Sequence, residues 1–388
     1  MDLELSEEQR LITETVRKFV REEIVALEAD LDPDASELEG SDYERLVALV
    51  KQMGFYGLDI PEEFGGPGID LVTRTLMAIE MSQHRAGLYA PCYDVFGGAG
   101  LAQLFEANDD QKERYLFPTL RGEKHGFFGL TEPSGGSDPA RAIETTAVLD
   151  GDEWVLNGAK IFISGADVAD YGIAFARTDA DAGRQGITCF IVDTDMPGFH
   201  VRRIVHTLRS TRYATELQFD NLRVPRTNVL GEPNKGFAIA NDRLSRQRIP
   251  YAAGCIGVAV AAQAMAISYA NQRKTFGDFL ATRQGVQWMI VDNEIDIRTA
   301  RWLTLEAADR AEKKQPYRTE AAAAKLVATE ASGRVVDRAM QIHGGYGMTK
   351  DLPLERWYRE IRIRRIGEGP SEVQRLIMAR DLLGGSFH

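Results

Sequence analysis

The sequence predicts an α+β protein in three parts: a helical N-terminal domain over residues 1–124, an antiparallel β domain over 125–235 and a C-terminal four-helix bundle over 236–388. Two observations predict it. Apolar residues recur at helical spacing in the first and last parts, and between them they fall into short runs separated by glycine and polar residues, the pattern of strands. Asn157-Gly158, between two such runs, adds a hairpin signal, because a type I′ turn needs positive φ at both positions.

In the first part Leu11, Val16, Phe19, Val20 and Ile24 form one apolar stripe and Leu46, Leu49, Val50 and Met53 another. Ser6 followed by Glu7, Glu8 and Gln9 reads as an N-cap with an acidic first turn, which suits the positive end of a helix. The loop PEEFGGPG, 61–68, interrupts the helices. The strands of the middle part are expected at Thr145–Leu149, Trp154–Leu156, Lys160–Ile163, Gly172–Ala176, Ile187–Val192, His200–Val205 and Glu216–Phe219. Helical spacing returns from about Gly236, with long segments at Ile256–Lys274, Val286–Ala311 and Thr319–Ile342 and a tail as the fourth helix.

Lysine and arginine number 46 against 58 aspartates and glutamates, a net charge of −12, so a general electrostatic grip on nucleic acid or an anionic bilayer is not expected. The three cysteines, Cys92, Cys189 and Cys255, are widely spaced and odd in number; they make neither a disulfide framework nor a metal spacing, and a reducing compartment is the simpler inference. The start MDLELSEEQR lacks the basic and apolar regions of a secretory signal, and the apolar run Ala252–Ala262 is short enough to read as a core helix; a cytoplasmic protein is expected.

Several chemistries are excluded by what is missing. The six histidines, His84, His125, His200, His206, His343 and His388, show no paired metal spacing, so no metal site is expected. No G-x-S-x-G elbow, P-loop or strand-linked G-x-G-x-x-G occurs. What remains is GFFGLTEPSGGS, 126–137, a loop able to offer backbone N–H groups and hydroxyls to a polar ring edge or a phosphate, with a plain turn as the alternative. Gly344-Gly345-Tyr346-Gly347 after a long helix reads as a C-cap. Seven arginines between 356 and 380 read mostly as a solvated basic face around Gly367-Glu368-Gly369-Pro370. There a carboxylate flanked by glycines can be aimed at a ligand as a general base, and desolvation and the arginines pull its acidity in opposite directions.

LTEPSGGSD (130–138), LNGAKIFIS (156–164), NQRKTFG (271–277), MQIHGGYG (340–347) and IGEGPSEVQRLIMAR (366–380), in this order and with LSEEQRLI and MGFYGLDIPEEFGG before them, resemble the acyl-CoA dehydrogenase family nearly from end to end. The resemblance implies an FAD flavoprotein of fatty acid metabolism that oxidises an acyl-CoA thioester to its 2,3-enoyl form, passes electrons to an electron-transfer flavoprotein, and assembles as a homotetramer, a dimer of dimers. It implies Glu368 as the base that takes the α-proton, with its own backbone N–H and a flavin hydroxyl stabilising the enolate oxygen. Leu130, Thr131, Gly136, Ser137, Phe162 and Ser164 match contacts to the flavin. Arg273, Thr275 and Phe276 match the segment that reaches the FAD of a neighbouring subunit, Gln284, Gln341 and Gly345 match its adenine-end contacts, Glu372 matches a further cofactor position, and Pro370 stands at a cofactor position where threonine is usual, which enlarges the cavity and removes one hydroxyl contact to FAD. Ser137, Arg248 and Gly369 match the thioester channel, with Arg246 a further candidate for the CoA phosphates. Gly367 stands where tyrosine is common, so an enlarged cavity and a branched or bulky acyl group are expected. Gln247 occupies the position from which some members supply their base, and Ser245 replaces an acidic residue of straight-chain members. The alternatives are an oxygen-using acyl-CoA oxidase and a silent acyl-CoA-binding relative.

Overall fold

The computed structural model describes residues 5–35, 38, 40–86, 92–98, 100–209 and 214–385. His388 and the first four residues of the acidic start lie outside them. Two compact units are present, one from Met1–Gly97 with Ser245–His388, the other Gly98–Leu244.

The helical unit contains α1 (Glu7–Phe19), α2 (Gly40–Gln52), α3 (Leu71–Met81), most of α4 (Gly236–Gln272), α5 (Gln284–Glu312), α6 (Arg318–His343), α7 (Leu354–Arg364) and α8 (Ser371–Leu382). The expected cap is formed: Ser6 Oγ accepts from the Gln9 N–H and Gln9 Oε1 from the Ser6 N–H, both at 3.1 Å. Val16 and Phe19 of α1, with Val20 just beyond it, share a core with Leu46, Val50, Met77 and Phe96. The larger core runs along α4 and α6 and is rich in alanine, including Ala252, Ala253, Ala259, Ala324, Ala328 and Ala331. Small side chains let these helices approach closely: a Cβ on Gly257 would sit 2.2 Å from the Ile79 carbonyl oxygen of α3. Helix α4 is the one described helix long and apolar enough to cross a membrane, and most of that stretch is buried inside the protein.

The tail is not one helix. It breaks between Arg364 and Ser371, so the C-terminal part has five described helices of ten or more residues rather than four, and the break carries Glu368. The expected solvated arginine face is also only partial. Arg356 and Arg364 are buried; Arg356 meets Glu360 and donates to the carbonyls of Pro33 and Ala35.

The other unit is a sheet of β1 (Gly126–Gly129), β2 (Thr146–Asp150), β3 (Glu153–Ser164), β4 (Tyr171–Arg177), β5 (Ile187–Asp193), β6 (Phe199–Val205) and β7 (Ala214–Pro225) in the order β1-β4-β2-β3-β7-β6, with β5 also on β4. It is mostly antiparallel, and β1 runs parallel to β4. The first four residues of the glycine-rich 126–137 segment are therefore strand rather than loop. The hairpin joining β2 to β3 turns at Gly151-Asp152, with Gly151 at φ 64. Asn157-Gly158 is not that turn. It lies inside β3 at a bulge opposite β7, where a Cβ on Gly158 would fall 2.4 Å from Thr145 Oγ1, so glycine is needed for close approach. Phe127, Leu156, Phe190, Leu217 and Phe219 fill the core beneath.

Candidate active site

In the β unit, the end of β1 and the end of β3 are tied together. The Ile161 N–H donates to the Thr131 carbonyl at 2.9 Å. Just beyond, β3 bulges between Ile161 and Ile163, and Phe162 takes a left-handed φ of 60. The bulge turns a large apolar side chain outward, leaving Phe162 59% exposed. Ser164, Gly136 and Ser137 are exposed too, while Leu130 is buried beneath. A Cβ on Gly136 would lie 3.2 Å from Thr131 Cγ2, so glycine keeps the space beside the Thr131 side chain open. The structure thus brings the candidates Leu130, Thr131, Gly136, Phe162 and Ser164 into one neighbourhood, with Ser137 adjoining.

What holds this neighbourhood is a pair that the sequence reading missed. Lys160 Nζ lies 2.6 Å from Glu132 Oε1 and 2.5 Å from the Phe175 carbonyl, with no exposed surface on the lysine. Glu132 also accepts the N–H groups of Glu144 and Thr145. Burial holds the Lys160 pKa below the ordinary lysine value, opposed by the Glu132 charge. The available signal was a lysine in the middle of a strand, between the buried Leu156 and Ile163.

In the helical unit, Glu368 stands in the turn between α7 and α8 with φ 54, followed by Gly369 at φ 87. The left-handed conformation is disfavoured for a residue with a Cβ and persists only where the surroundings impose it. Lys325 Nζ donates to the Gly369 carbonyl at 2.8 Å, and Gln374 Nε2 donates to the same oxygen at 2.8 Å. Pro370 caps α8, and Glu372 is exposed in its first turn. Arg248 of α4 is almost wholly buried, with Nε and Nη1 lacking hydrogen-bond partners. Burial pushes its pKa down to about 10, repulsion from Arg318 adds to this, and attraction to Glu368 opposes it.

Gly367 does not leave its Cβ position empty. A Cβ there would lie 2.6 Å from Tyr251 Oη, so the space of a side chain at 367 is taken by a tyrosine from α4. The expectation of an enlarged pocket is corrected accordingly. Arg364 stacks over the same ring at 4.2 Å. Gln247, Arg248 and Tyr251 share one stretch of α4 beside Pro250, which cannot donate to the carbonyl one turn back.

The remaining candidates cluster elsewhere in the helical unit. Arg273 begins a two-stranded ribbon, β8 (Lys274–Thr275) with β9 (Asp278–Phe279), whose tip residues Phe276 and Gly277 have φ 51 and 87. Phe276 is 98% exposed. Arg283 donates to the Thr275 carbonyl at 2.7 Å and so ties the ribbon to Gln284 at the start of α5. The ring of Tyr269, whose carbonyl accepts from the Arg273 N–H, stacks on His343 at 4.5 Å. This places Gln341 and Gly345, at the end of α6, near the ribbon. Gly344 ends α6 with φ 61 and ψ −134, a conformation that suits glycine but is not the left-handed helical one of the expected Schellman-type cap; its N–H donates to the carbonyls of Met340 and Gln341. Gln341 stands about 24 Å along α6 from Lys325, at 1.5 Å per residue, so the arginine ribbon and Glu368 occupy opposite ends of one helix. Among the described residues no cluster of three or more histidine, cysteine or acidic side chains could hold a metal ion.

Comparison with known proteins agrees with this layout. "Acyl-CoA dehydrogenase, N-terminal domain" matches residues 6–123, the middle domain 127–222 and the C-terminal domain 234–383. The short-chain specific acyl-CoA dehydrogenase of Clostridium acetobutylicum is 38% identical over 98% of this chain and 99% of its own length. The solved butyryl-CoA dehydrogenase of Megasphaera elsdenii superposes with a TM-score of 0.85 at 33% identity, covering 99% of this chain and all of that one. A chain in the structure of an electron transferring flavoprotein of Acidaminococcus fermentans superposes with a TM-score of 0.84 at 35% identity, covering 99% and 100%. The order of elements, the glycine-flanked carboxylate at the tail break and these full-length matches lead to one conclusion: this chain belongs to the acyl-CoA dehydrogenase family.

Proposed function

We propose that this chain oxidises a short-chain acyl-CoA thioester to its 2,3-enoyl form, with Glu368 removing the α-proton. The observation that carries this reading is the backbone of Glu368, a carboxylate held in a left-handed conformation at a helix break that hydrogen bonds from Lys325 and Gln374 maintain. Such a turn serves to aim a side chain. Short acyl groups are favoured because Tyr251 fills the space beside Gly367, and the butyryl-CoA and short-chain specific relatives agree.

The family is FAD-dependent, and this chain's residues fit the cofactor. The exposed Phe162 face, the hydroxyls of Thr131 and Ser164 and the space kept free by Gly136 suit a flat ring with a polar edge. In this reading Leu130 and Thr131 hold that edge, Phe162 and Ser164 lie along the ring, and Ser137 adjoins it, with Pro370 and Glu372 as further contacts. The bound flavin supplies a hydride acceptor for the β-hydrogen. A C–H beside a thioester is a weak acid, so Glu368 needs donors aimed at the developing enolate oxygen; its own backbone N–H is the one this chain offers. Arg248 contributes a buried positive charge beside the base and, with Gly369, borders the thioester in this reading; Ser137 of the β unit is proposed as a substrate contact in its own right, and the exposed Arg246 as one for the CoA phosphates.

We further read the assembly as a homotetramer. Arg273, Thr275, Phe276, Gln284, Gln341 and Gly345 stand a helix length from Glu368 and so suit the FAD of a second copy, Arg273 as a charge-assisted donor to its pyrophosphate. On α5, Trp288, Val291, Ile295 and Trp302 expose one apolar stripe that begins next to this ribbon. Ile295→Glu is expected to yield a smaller particle in sedimentation, and an unchanged particle contradicts an interface there. An electron-transfer flavoprotein is the acceptor this reading names, supported by the likeness to the Acidaminococcus fermentans chain. A cytoplasmic location is supported by the free thiols of Cys189 and Cys255, and a three-part division near 124/125 and 235/236 by the matched ranges.

The test is anaerobic mixing of the FAD-loaded protein with butyryl-CoA. Loss of the flavin absorbance with formation of the 2,3-enoyl thioester is expected; an unchanged spectrum with every saturated acyl-CoA offered contradicts the reading.

A further inference from the structure

The carbonyl oxygens of Arg365 and Gly369 flank Glu368, and both face Lys325 of α6, whose Nζ lies 3.5 Å from the first and 2.8 Å from the second. Gln374 Nε2 adds a donor at 2.8 Å to Gly369 and 3.4 Å to the Glu368 carbonyl, and the Ser371 N–H closes the turn onto Arg365 at 3.1 Å. Lys325 has no exposed surface and sits among the alanines of α6. A buried ammonium costs too much to be incidental packing unless its donors are used, and here its two hydrogen bonds go to the backbone on either side of the base.

We propose that Lys325 is a positioning residue for the Glu368 base: its ammonium pins the 365–369 turn so that the carboxylate meets the thioester α-carbon, and the turn loosens when the proton leaves. This rests on reading Glu368 as the base. The groups facing Lys325 are Arg248, Tyr251 and Cys255 from α4, the Arg365 carbonyl at the end of α7, Glu368 from the turn, and Glu330 from α6 itself, while Arg364 lies over the Tyr251 ring. Burial pushes the Lys325 pKa down to about 8 and Arg248 adds to this, while Cys255, Glu368 and Glu330 oppose it. Lys325 is therefore charged at neutral pH and loses its charge as pH rises through about 8. The neutral amine keeps N–H groups, but a charge-assisted hydrogen bond is about twice as strong as a neutral one. The consequence is a partial fall in rate on the alkaline side, not an abolition.

The experiment compares parent, Lys325→Met and Glu368→Gln as FAD-loaded full-length protein, following anaerobic bleaching by butyryl-CoA across pH. For the parent, the limiting rate should fall several-fold above about pH 8 with half-saturation unchanged. Lys325→Met should bind flavin, keep its half-saturation within about threefold, lose about 10- to 100-fold in limiting rate and lose the alkaline fall, as expected for a base displaced by a fraction of an ångström. A parental rate in Lys325→Met, or a flat parental profile from about pH 7 to about pH 9, overturns the proposal. Should Lys325→Met not bind flavin, Gln374→Met reads the same clamp: about a tenfold loss at unchanged half-saturation is expected, and a parental rate overturns the proposal. Parental bleaching in Glu368→Gln would instead remove the base assignment, whereas a silent Glu368→Gln beside a fast Lys325→Met removes only the role of the lysine.

Discussion

Glu368→Gln is expected to give a yellow protein that binds butyryl-CoA and bleaches about 10⁴-fold more slowly than the parent, the upper end of what a positioned base contributes. The amide keeps the size of the carboxylate and one acceptor, so the turn should survive, but it cannot take the α-proton. No neighbour can substitute. Glu330 is engaged by Arg365 at 2.7 Å and by the Ser371 hydroxyl at 2.7 Å, and position 247 on α4 carries a glutamine. Stopped-flow absorbance of the flavin checks this, and a loss smaller than about tenfold would place the base elsewhere.

The second large effect concerns folding and flavin together. Lys160→Met leaves the Glu132 carboxylate buried without its counter-ion, a change that costs about 3–5 kcal/mol where one partner of a buried pair is removed. Met matches the length and apolar body of lysine, so the loss is electrostatic rather than a cavity. Because Glu132 also accepts from the Glu144 and Thr145 N–H groups, its displacement frees the LTEP segment from β3, and weaker flavin retention should accompany the lower stability. Urea unfolding with flavin fluorescence measures both. A shift below about 1 kcal/mol would mean that the pair is replaced without cost and that other contacts hold the shelf.

The first helix was legible because it buries one stripe, and a stripe is visible in a single segment: Val16, Phe19 and Val20 read as a face before any partner is known. Most strands were legible as short apolar runs between glycine and polar residues, with β4 and β5 buried on both faces, whereas β1 lay hidden in a glycine-rich segment. Asn157-Gly158 misled because the dipeptide signals permissive backbone, and a bulge inside a strand needs that freedom as much as a turn does; only the pairing with β7 separates the two. Glu368 stood out through its glycines and through the motif around it. The groups that hold it did not, since Lys325, Gln374 and Tyr251 come from three other helices and meet only in three dimensions; Arg248 stood out through the resemblance alone. Gly367 shows the limit most clearly. A glycine in sequence signals missing volume, whereas the structure fills that volume from α4. Lys160 and Lys325 share the one usable local sign, a charge in the phase of a buried face, which has to be paired or put to use.

In the proposed reaction Glu368 takes the α-proton while the β-hydrogen leaves to the flavin. The most direct measurement is the anaerobic bleaching rate with butyryl-CoA deuterated at C2, at C3 or at both. Slower bleaching from deuterium at each position is predicted, because both C–H bonds break on the way to the enoyl thioester. Bleaching that ignores deuterium at C2 and at C3 alike, or none with any saturated acyl-CoA, would contradict the account.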